Sequence, residues 1–405
     1  MNAQALVQTQ QQGPVLVVSI NNPPVNALGQ GVRAGLLAAV EQLEQDAALK
    51  AMLIVGQGKA FIAGADIREF GKPPMAPALP DVLNRMETGS KLVVAAIHGP
   101  ALGGGLEVAM ATHFRVALAG AKLGLPEVNL GLLPGAGGTQ RSPRLMGVKA
   151  ATELMLSGQH LSAKAALAAG LVDKLAEGDD PLVAGLAYVN ELLARGVPPR
   201  RTRDLAIADK AAALAELDAI ALESVKKTRG LFSPAKIIEC VRAAVELPFE
   251  QGLKRERELF LECLNSPQRQ GLVHGFFAER ETAKIPEAKA AAPRALASIA
   301  VIGGGTMGAG ITVSALDAGL SVVMVERDAE SIARGQKNVE KVYDGLIARG
   351  RMTAEAKAAT MARYTPSTSY DAIKHVDLVI EAVFEDIEVK KAVFKDLDRV
   401  CKGGA

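Results

Sequence analysis

Twice along the chain a short apolar run leads into three consecutive glycines and then into a helical pattern. Residues 91–97 (KLVVAAI) precede Gly103-Gly104-Gly105, and residues 298–302 (SIAVI) precede Gly303-Gly304-Gly305. Runs of this length read as buried strands, and a glycine turn after each lets the backbone approach a neighbour closely. Strand, turn and helix in alternation is the unit of an α/β fold, which excludes an all-helical or all-β chain. Other segments continue the pattern. Residues 14–20 (PVLVVSI) and 51–56 (AMLIVG) flank an alanine- and leucine-rich helical stretch at 30–48, and 114–119 (FRVALA) reads as a further strand. From about 135 to 283 amphipathic helices replace the strands. Residues 284–293 (KIPEAKAAAP) then form a low-complexity linker with prolines near both ends.

A chain of 405 residues accommodates two or three such domains. The expected division is a core at 1–190, a helical region at 191–283, a linker at 284–297 and a second α/β domain at 298–405. The last part contains strand candidates at 298–302, in SVVMVE ending at Glu326, and at 377–383 (DLVIEAV). These amount to a β-α-β-α-β half of a doubly wound fold.

Charge narrows the partners. With 46 basic and 44 acidic residues, and 22% charged against 49% hydrophobic, the chain reads as a soluble globular enzyme with no nucleic-acid partner. Residues 200–203 (RRTR) read as a solvated loop. Three cysteines, Cys240, Cys263 and Cys401, are too few and scattered for a disulfide framework. The five histidines lack metal-ligand spacing, so no metal is expected. No basic leader with an apolar stretch opens the chain, and no run of about 18 apolar residues suggests a membrane span. The expected location is the cytoplasm, or the peroxisome in a eukaryote.

Two segments near the glycine triplet carry the chemistry. Residues 60–67 (AFIAGADI) and 103–107 (GGGLE) each offer a small-residue turn whose main-chain N–H groups can remain unpaired and bind a developing oxyanion. A helix beginning near Gly104 adds its positive end. Glu107 falls in its first turn, where an acid by itself merely complements the helix, worth roughly a few tenths of a kcal/mol. Residues 125–131 (LPEVNLG) and 134–141 (PGAGGTQR) supply a second carboxylate, Glu127, on a glycine-rich framework. Two acids facing one water can divide the base and acid roles.

These motifs, in this order, resemble those of the enoyl-CoA hydratase/isomerase (crotonase) superfamily over about residues 10–190. The resemblance implies an α/β spiral core of ββα units and an oxyanion hole from the N–H groups of Ala65 and Gly104, with Glu107 and Glu127 as the acid/base pair. It implies acyl-CoA contacts at Ala63, Ala65, Asp66, Ile67 and Gly104, and hydration of trans-2-enoyl-CoA without a cofactor. Isomerisation of 3-enoyl to 2-enoyl-CoA is a plausible companion activity, and an isomerase-dominant enzyme or a non-catalytic acyl-CoA- or RNA-binding scaffold are the alternatives. Residues 231–234 (LFSP), 248–253 (PFEQGL) and 276–280 (FFAER) resemble the linker helices of multifunctional β-oxidation enzymes. A thiolase partner or a homo-oligomer is left open.

In the last domain Gly303, Gly305 and Gly308 follow a strand and open a helix, and Glu326 ends the next strand, close to the spacing of about 20 residues that places an acid on a ribose 2′-hydroxyl. A carboxylate there accepts from the hydroxyl and repels a 2′-phosphate, so NAD is the expected cofactor. Residues 382–385 (AVFE) and Lys390 resemble the cofactor-contacting stretch of 3-hydroxyacyl-CoA dehydrogenases, which implies Met307, Glu385 and Lys390 as further contacts. On that resemblance the catalytic histidine lies beyond Ala405 and is not His375. The expectation is a C-terminally truncated dehydrogenase part that binds NAD weakly at best.

Overall fold

The computed structural model describes residues 5–69, 72–228, 230–282 and 284–405. Residues 1–4, which open the expected leader-free N-terminus, and Gly71, in the 71–82 segment (GKPPMAPALPDV) expected as a mobile loop near the acyl chain, lie outside them. The chain divides into two compact units, Met1–Lys284 and Ile285–Ala405.

The first unit is built on a six-stranded sheet ordered β1-β2-β3-β4-β6-β9 and a three-stranded sheet ordered β5-β7-β8. The strands are β1 (Val7–Gln12), β2 (Val15–Ile20), β3 (Ala51–Gly56), β4 (Leu92–Ile97), β5 (Pro100–Leu102), β6 (Phe114–Leu118), β7 (Lys122–Gly124), β8 (His160–Ser162) and β9 (Lys174–Ala176). Every residue of β3 and β4 is buried, because helices cover both faces of this mostly parallel sheet. One face packs on the helix Gln30–Gln45 through Val32, Leu36 and Val40, the other on the helix Pro181–Ala194 through Tyr188, Val189 and Leu192.

Strand β1 was not visible in the sequence. Its residues, VQTQQQ, are polar apart from Val7, and they become a strand because β2 offers an open edge with which they pair antiparallel from Val7↔Ile20 to Gln12↔Val15. The short strands β8 and β9 were missed as well, having only three residues each in which to show a period.

The helices Lys210–Thr228, Phe232–Glu246 and Phe249–Leu264 belong to the first unit rather than forming a body of their own. Leu217, Ile237, Val241, Leu259 and Cys263 enter the same apolar core as the strand residues Leu16, Ile54 and Ile97.

The second unit contains β10 (Ser298–Ile302), β11 (Ser321–Val325), β12 (Tyr364–Ser367) and β13 (Leu378–Glu381), all parallel and ordered β12-β11-β10-β13. Three of these match expected strands, and β12, the four-residue YTPS, is the additional one. The last strand, β13, pairs with β10 on the side away from β11. The chain therefore reverses direction across the sheet at β10, which creates the crevice where such folds bind ligands.

Candidate active site

Parallel pairing of two short strands assembles the site. In the register Pro100↔Lys122, Ala101↔Leu123, Leu102↔Gly124, β5 and β7 end side by side. The helix Gly104–Ala111 leaves β5 and carries Glu107, while the short 3-10 helix Pro126–Leu130 leaves β7 and carries Glu127. On the other flank of β5, Ile62 bridges Ala101, with Ile62 N–H donating to Pro100 O and Leu102 N–H to Ile62 O. The loop with Ala63, Ala65 and Asp66 thus lies against β5 on the side away from β7.

The glycine triplet is required by how closely these turns meet. Gly103 has φ +52°, and a Cβ there would stand 2.9 Å from Glu127 Oε1 and 4.0 Å from Gly64 Cα. A Cβ on Gly105 would run into the Ile62 carbonyl. Among the described residues neither the Ala65 nor the Gly104 N–H donates to a main-chain carbonyl. Both remain available to an oxygen bound between the two turns, and Gly104 sits at the positive end of its helix.

The two acids are held differently. Glu107 is 3% exposed, and its Oε1 accepts from the N–H groups of Ala136 (2.7 Å) and Gly138 (2.8 Å). Burial raises its pKa, and those two donors and the Arg141 charge pull the other way. Glu127 is half-buried, yet its Oε2 is enclosed without a hydrogen-bond partner. Desolvation, and then the charge of Glu107, push its pKa well above the usual carboxylate range. Both acids are thus displaced toward keeping their protons, Glu127 the further, while two backbone donors favour the ionised form of Glu107, a difference that suits base and acid work.

Among the described residues Arg141, the last residue of the PGAGGTQR motif, makes no direct hydrogen bond to either acid. It is 1% exposed and forms a buried ion pair with Glu87 at 2.7 Å, while its Nη1 donates to Ala136 O. Asp66 accepts from the Arg68 N–H at 2.9 Å and from its guanidinium, so its carboxylate is already occupied. Ile67 opens a short 3-10 turn.

Sequence reasoning missed Glu256. This residue of the helix Phe249–Leu264 is 1% exposed, and its carboxylate accepts from Gly137 N–H (2.7 Å), Thr139 N–H (3.1 Å) and Thr139 Oγ1. Burial, and then the Glu107 charge, push its pKa up to about 8. A signal was present: Phe249, Gly252, Glu256, Leu259 and Cys263 fall at the 3–4 spacing of one buried helix stripe, where an acid is out of place.

In the second unit the glycine loop leaves β10 and opens the helix Thr306–Asp317. A Cβ on Gly308 would collide with Gly303 O, whereas one on Gly305 would meet nothing within 4 Å, so the loop is tight underneath and open above. Glu326 follows β11, and its Oε1 accepts from Gly304 N–H at 2.7 Å. Met307 is 72% exposed at the same helix start. This open loop at a helix N-terminus, with a carboxylate beside it, fits a dinucleotide pyrophosphate and ribose. Lys390 bridges Glu385 (3.0 Å) and Glu381 (3.2 Å), the latter absent from the expected contacts.

Residues 10–198 match the family described as Enoyl-CoA hydratase/isomerase, and residues 298–405 match 3-hydroxyacyl-CoA dehydrogenase, NAD binding domain. The chain is 41% identical to the "Peroxisomal bifunctional enzyme" of Danio rerio, covering 96% of this chain and 54% of that one. It is 37% identical to the "Peroxisomal fatty acid beta-oxidation multifunctional protein" of Oryza sativa subsp. japonica, covering 96% and 55%. The chain spans about half the length of these curated relatives. Carnitinyl-CoA hydratase from Mycobacterium avium shares the fold at 24% identity, with a TM-score of 0.53 over 68% of this chain and 97% of that one. The architecture is therefore a crotonase-type α/β core with packed helices, followed by a Rossmann-type NAD-binding unit.

Proposed function

We propose that this chain, which joins an enoyl-CoA hydratase/isomerase domain to the NAD-binding domain of the 3-hydroxyacyl-CoA dehydrogenase family, hydrates trans-2-enoyl-CoA thioesters in fatty-acid β-oxidation. The observation that carries the reading is the pair of differently held acids, Glu107 and Glu127, beside two unpaired N–H groups.

In this mechanism the thioester oxygen sits between the N–H groups of Ala65 and Gly104, which stabilise the enolate as it forms. Glu107, held by its two backbone donors, takes a proton from water as the water oxygen bonds to C3. Glu127, kept protonated by its enclosed and unpartnered Oε2, delivers its proton to C2. The product is 3-hydroxyacyl-CoA, and proton exchange with solvent resets both acids. Ala63, Asp66 and Ile67 are assigned to the acyl-CoA contact; for Asp66 that contact runs through the main chain, since Arg68 holds its carboxylate.

In the second unit Gly303, Gly305, Met307 and Gly308 would hold the pyrophosphate and Glu326 the adenosine ribose of NAD, with Glu385 and Lys390 at the rim. Bound NAD supplies a hydride acceptor for a 3-hydroxyacyl-CoA. A peroxisomal location is proposed from the relatives' names, and no helix among the described residues is long and apolar enough to cross a membrane.

The direct test is the loss of enoyl-thioester absorbance when the chain is mixed with crotonyl-CoA. Turnover that disappears in Glu127→Gln supports the reading, and full turnover in that variant sinks the acid assignment.

A further inference from the structure

The turn after Pro134 donates four successive main-chain N–H groups, and they alternate between two carboxylates. Those of Ala136 and Gly138 go to Glu107 Oε1, while those of Gly137 and Thr139 go to Glu256. Glu256 arrives from a helix more than a hundred residues further along the chain, on a stripe otherwise formed by Phe249, Gly252, Leu259 and Cys263. A buried carboxylate is costly unless its hydrogen bonds are made, and all the bonds made by Glu256 fall on this one turn. Because the donors alternate, rotating the turn away from Glu256 also rotates the neighbouring donors away from Glu107.

We propose that Glu256 is a positioning residue for the hydration: by gripping Gly137 and Thr139 it aims the N–H groups of Ala136 and Gly138 at Glu107 Oε1. The orientation of the Glu107 carboxylate is fixed in this way, with Oε2 left toward the Gly104 turn, where a Cβ would lie 4.0 Å from it. The helix Phe249–Leu264 thereby becomes part of the hydratase machinery rather than packing alone. Glu256 also caps the helix Gly138–Met146, since Gly137 and Thr139 lie in its first turn. A cap alone would stabilise that helix without touching the chemistry. The inference rests on the hydratase reading above.

The test measures kcat and KM for crotonyl-CoA with the full chain, Glu256→Ala and Glu256→Gln, each normalised to the folded fraction from thermal melts of the same preparations. The glutamine carbonyl still accepts from Gly137, whereas alanine releases both donors. The expected result is a fall in kcat of about tenfold to a hundredfold in Glu256→Ala, as for a buried hydrogen-bond set left unmade. KM stays within about twofold, because Glu256 does not touch the thioester, and Glu256→Gln recovers most of kcat. Unchanged kcat in Glu256→Ala overturns the proposal. So does a fall in raw activity that vanishes on normalisation to folded protein, the signature of a cap and nothing more. If the unsubstituted chain fails to hydrate crotonyl-CoA, the hydratase reading falls first and this inference with it, a result distinguishable from the other two.

Discussion

In the first unit Glu87, Glu107 and Glu256 are 0%, 3% and 1% exposed, whereas in the second unit the Glu385 side chain is 87% exposed. Under the proposed function the difference follows from what each site would do. Protons move between carboxylates and a thioester only where water is excluded and pKa values are displaced, so burial and fixed donors are needed. A dinucleotide is instead held by main-chain groups at a helix start, with side chains at an open rim. The first site therefore depends on distant segments closing around it, while the glycine loop of the second is local to β10 and the helix Thr306–Asp317.

Replacing Glu107 by Gln is the most severe way to break the comparison. Loss of the base should lower kcat on the order of 10³- to 10⁴-fold, read from crotonyl-CoA turnover. The pH dependence of the unsubstituted chain carries the same information. Because the Glu107 pKa is raised, activity falls on the acid side at a pH above the ordinary carboxylate range. On the alkaline side it falls as Glu127 loses its proton, and an acid limb at the ordinary carboxylate pH would contradict the burial argument.

Arg141→Leu comes next and is read chiefly through stability, although its charge and its bond to Ala136 O also act on Glu107. Among the described residues it leaves the buried Glu87 carboxylate with only the Arg203 N–H as a partner, and breaking such a pair costs about 3–5 kcal/mol, measurable as a lower urea midpoint for the first unit. Gly103→Ala should lower kcat roughly a hundredfold, since a Cβ 2.9 Å from Glu127 Oε1 displaces the acid and φ +52° strains the turn. The smallest effect belongs to the open site. Glu326→Ala should weaken NAD binding about tenfold by calorimetry, the worth of one strong hydrogen bond, with crotonyl-CoA turnover unaffected.

Much of this was legible because it is local. The strands β2, β3, β4, β6 and β10 are apolar runs long enough to announce themselves, and the glycine loops lie directly beside them. Glu107 and Glu127 were found because each sits in a small-residue motif of its own. Strand β1 was not, because six mostly polar residues have no strand signal until β2 offers them an edge. Glu256 was overlooked although its stripe was visible, because a single acid on a helix gives no sign of what it will face.

The sequence by itself determined that the chain alternates strand and helix, that two glycine turns each follow an apolar run, and that Glu107 and Glu127 lie in small-residue motifs near the first of them. Only the tertiary structure decided that β5 and β7 pair in parallel so that both acids meet, that Arg141 is occupied by Glu87, and that a third carboxylate closes on the same turn. Local motifs are written in consecutive residues, whereas burial, charge coupling and hydrogen bonds between segments more than a hundred residues apart come into being only when the chain folds.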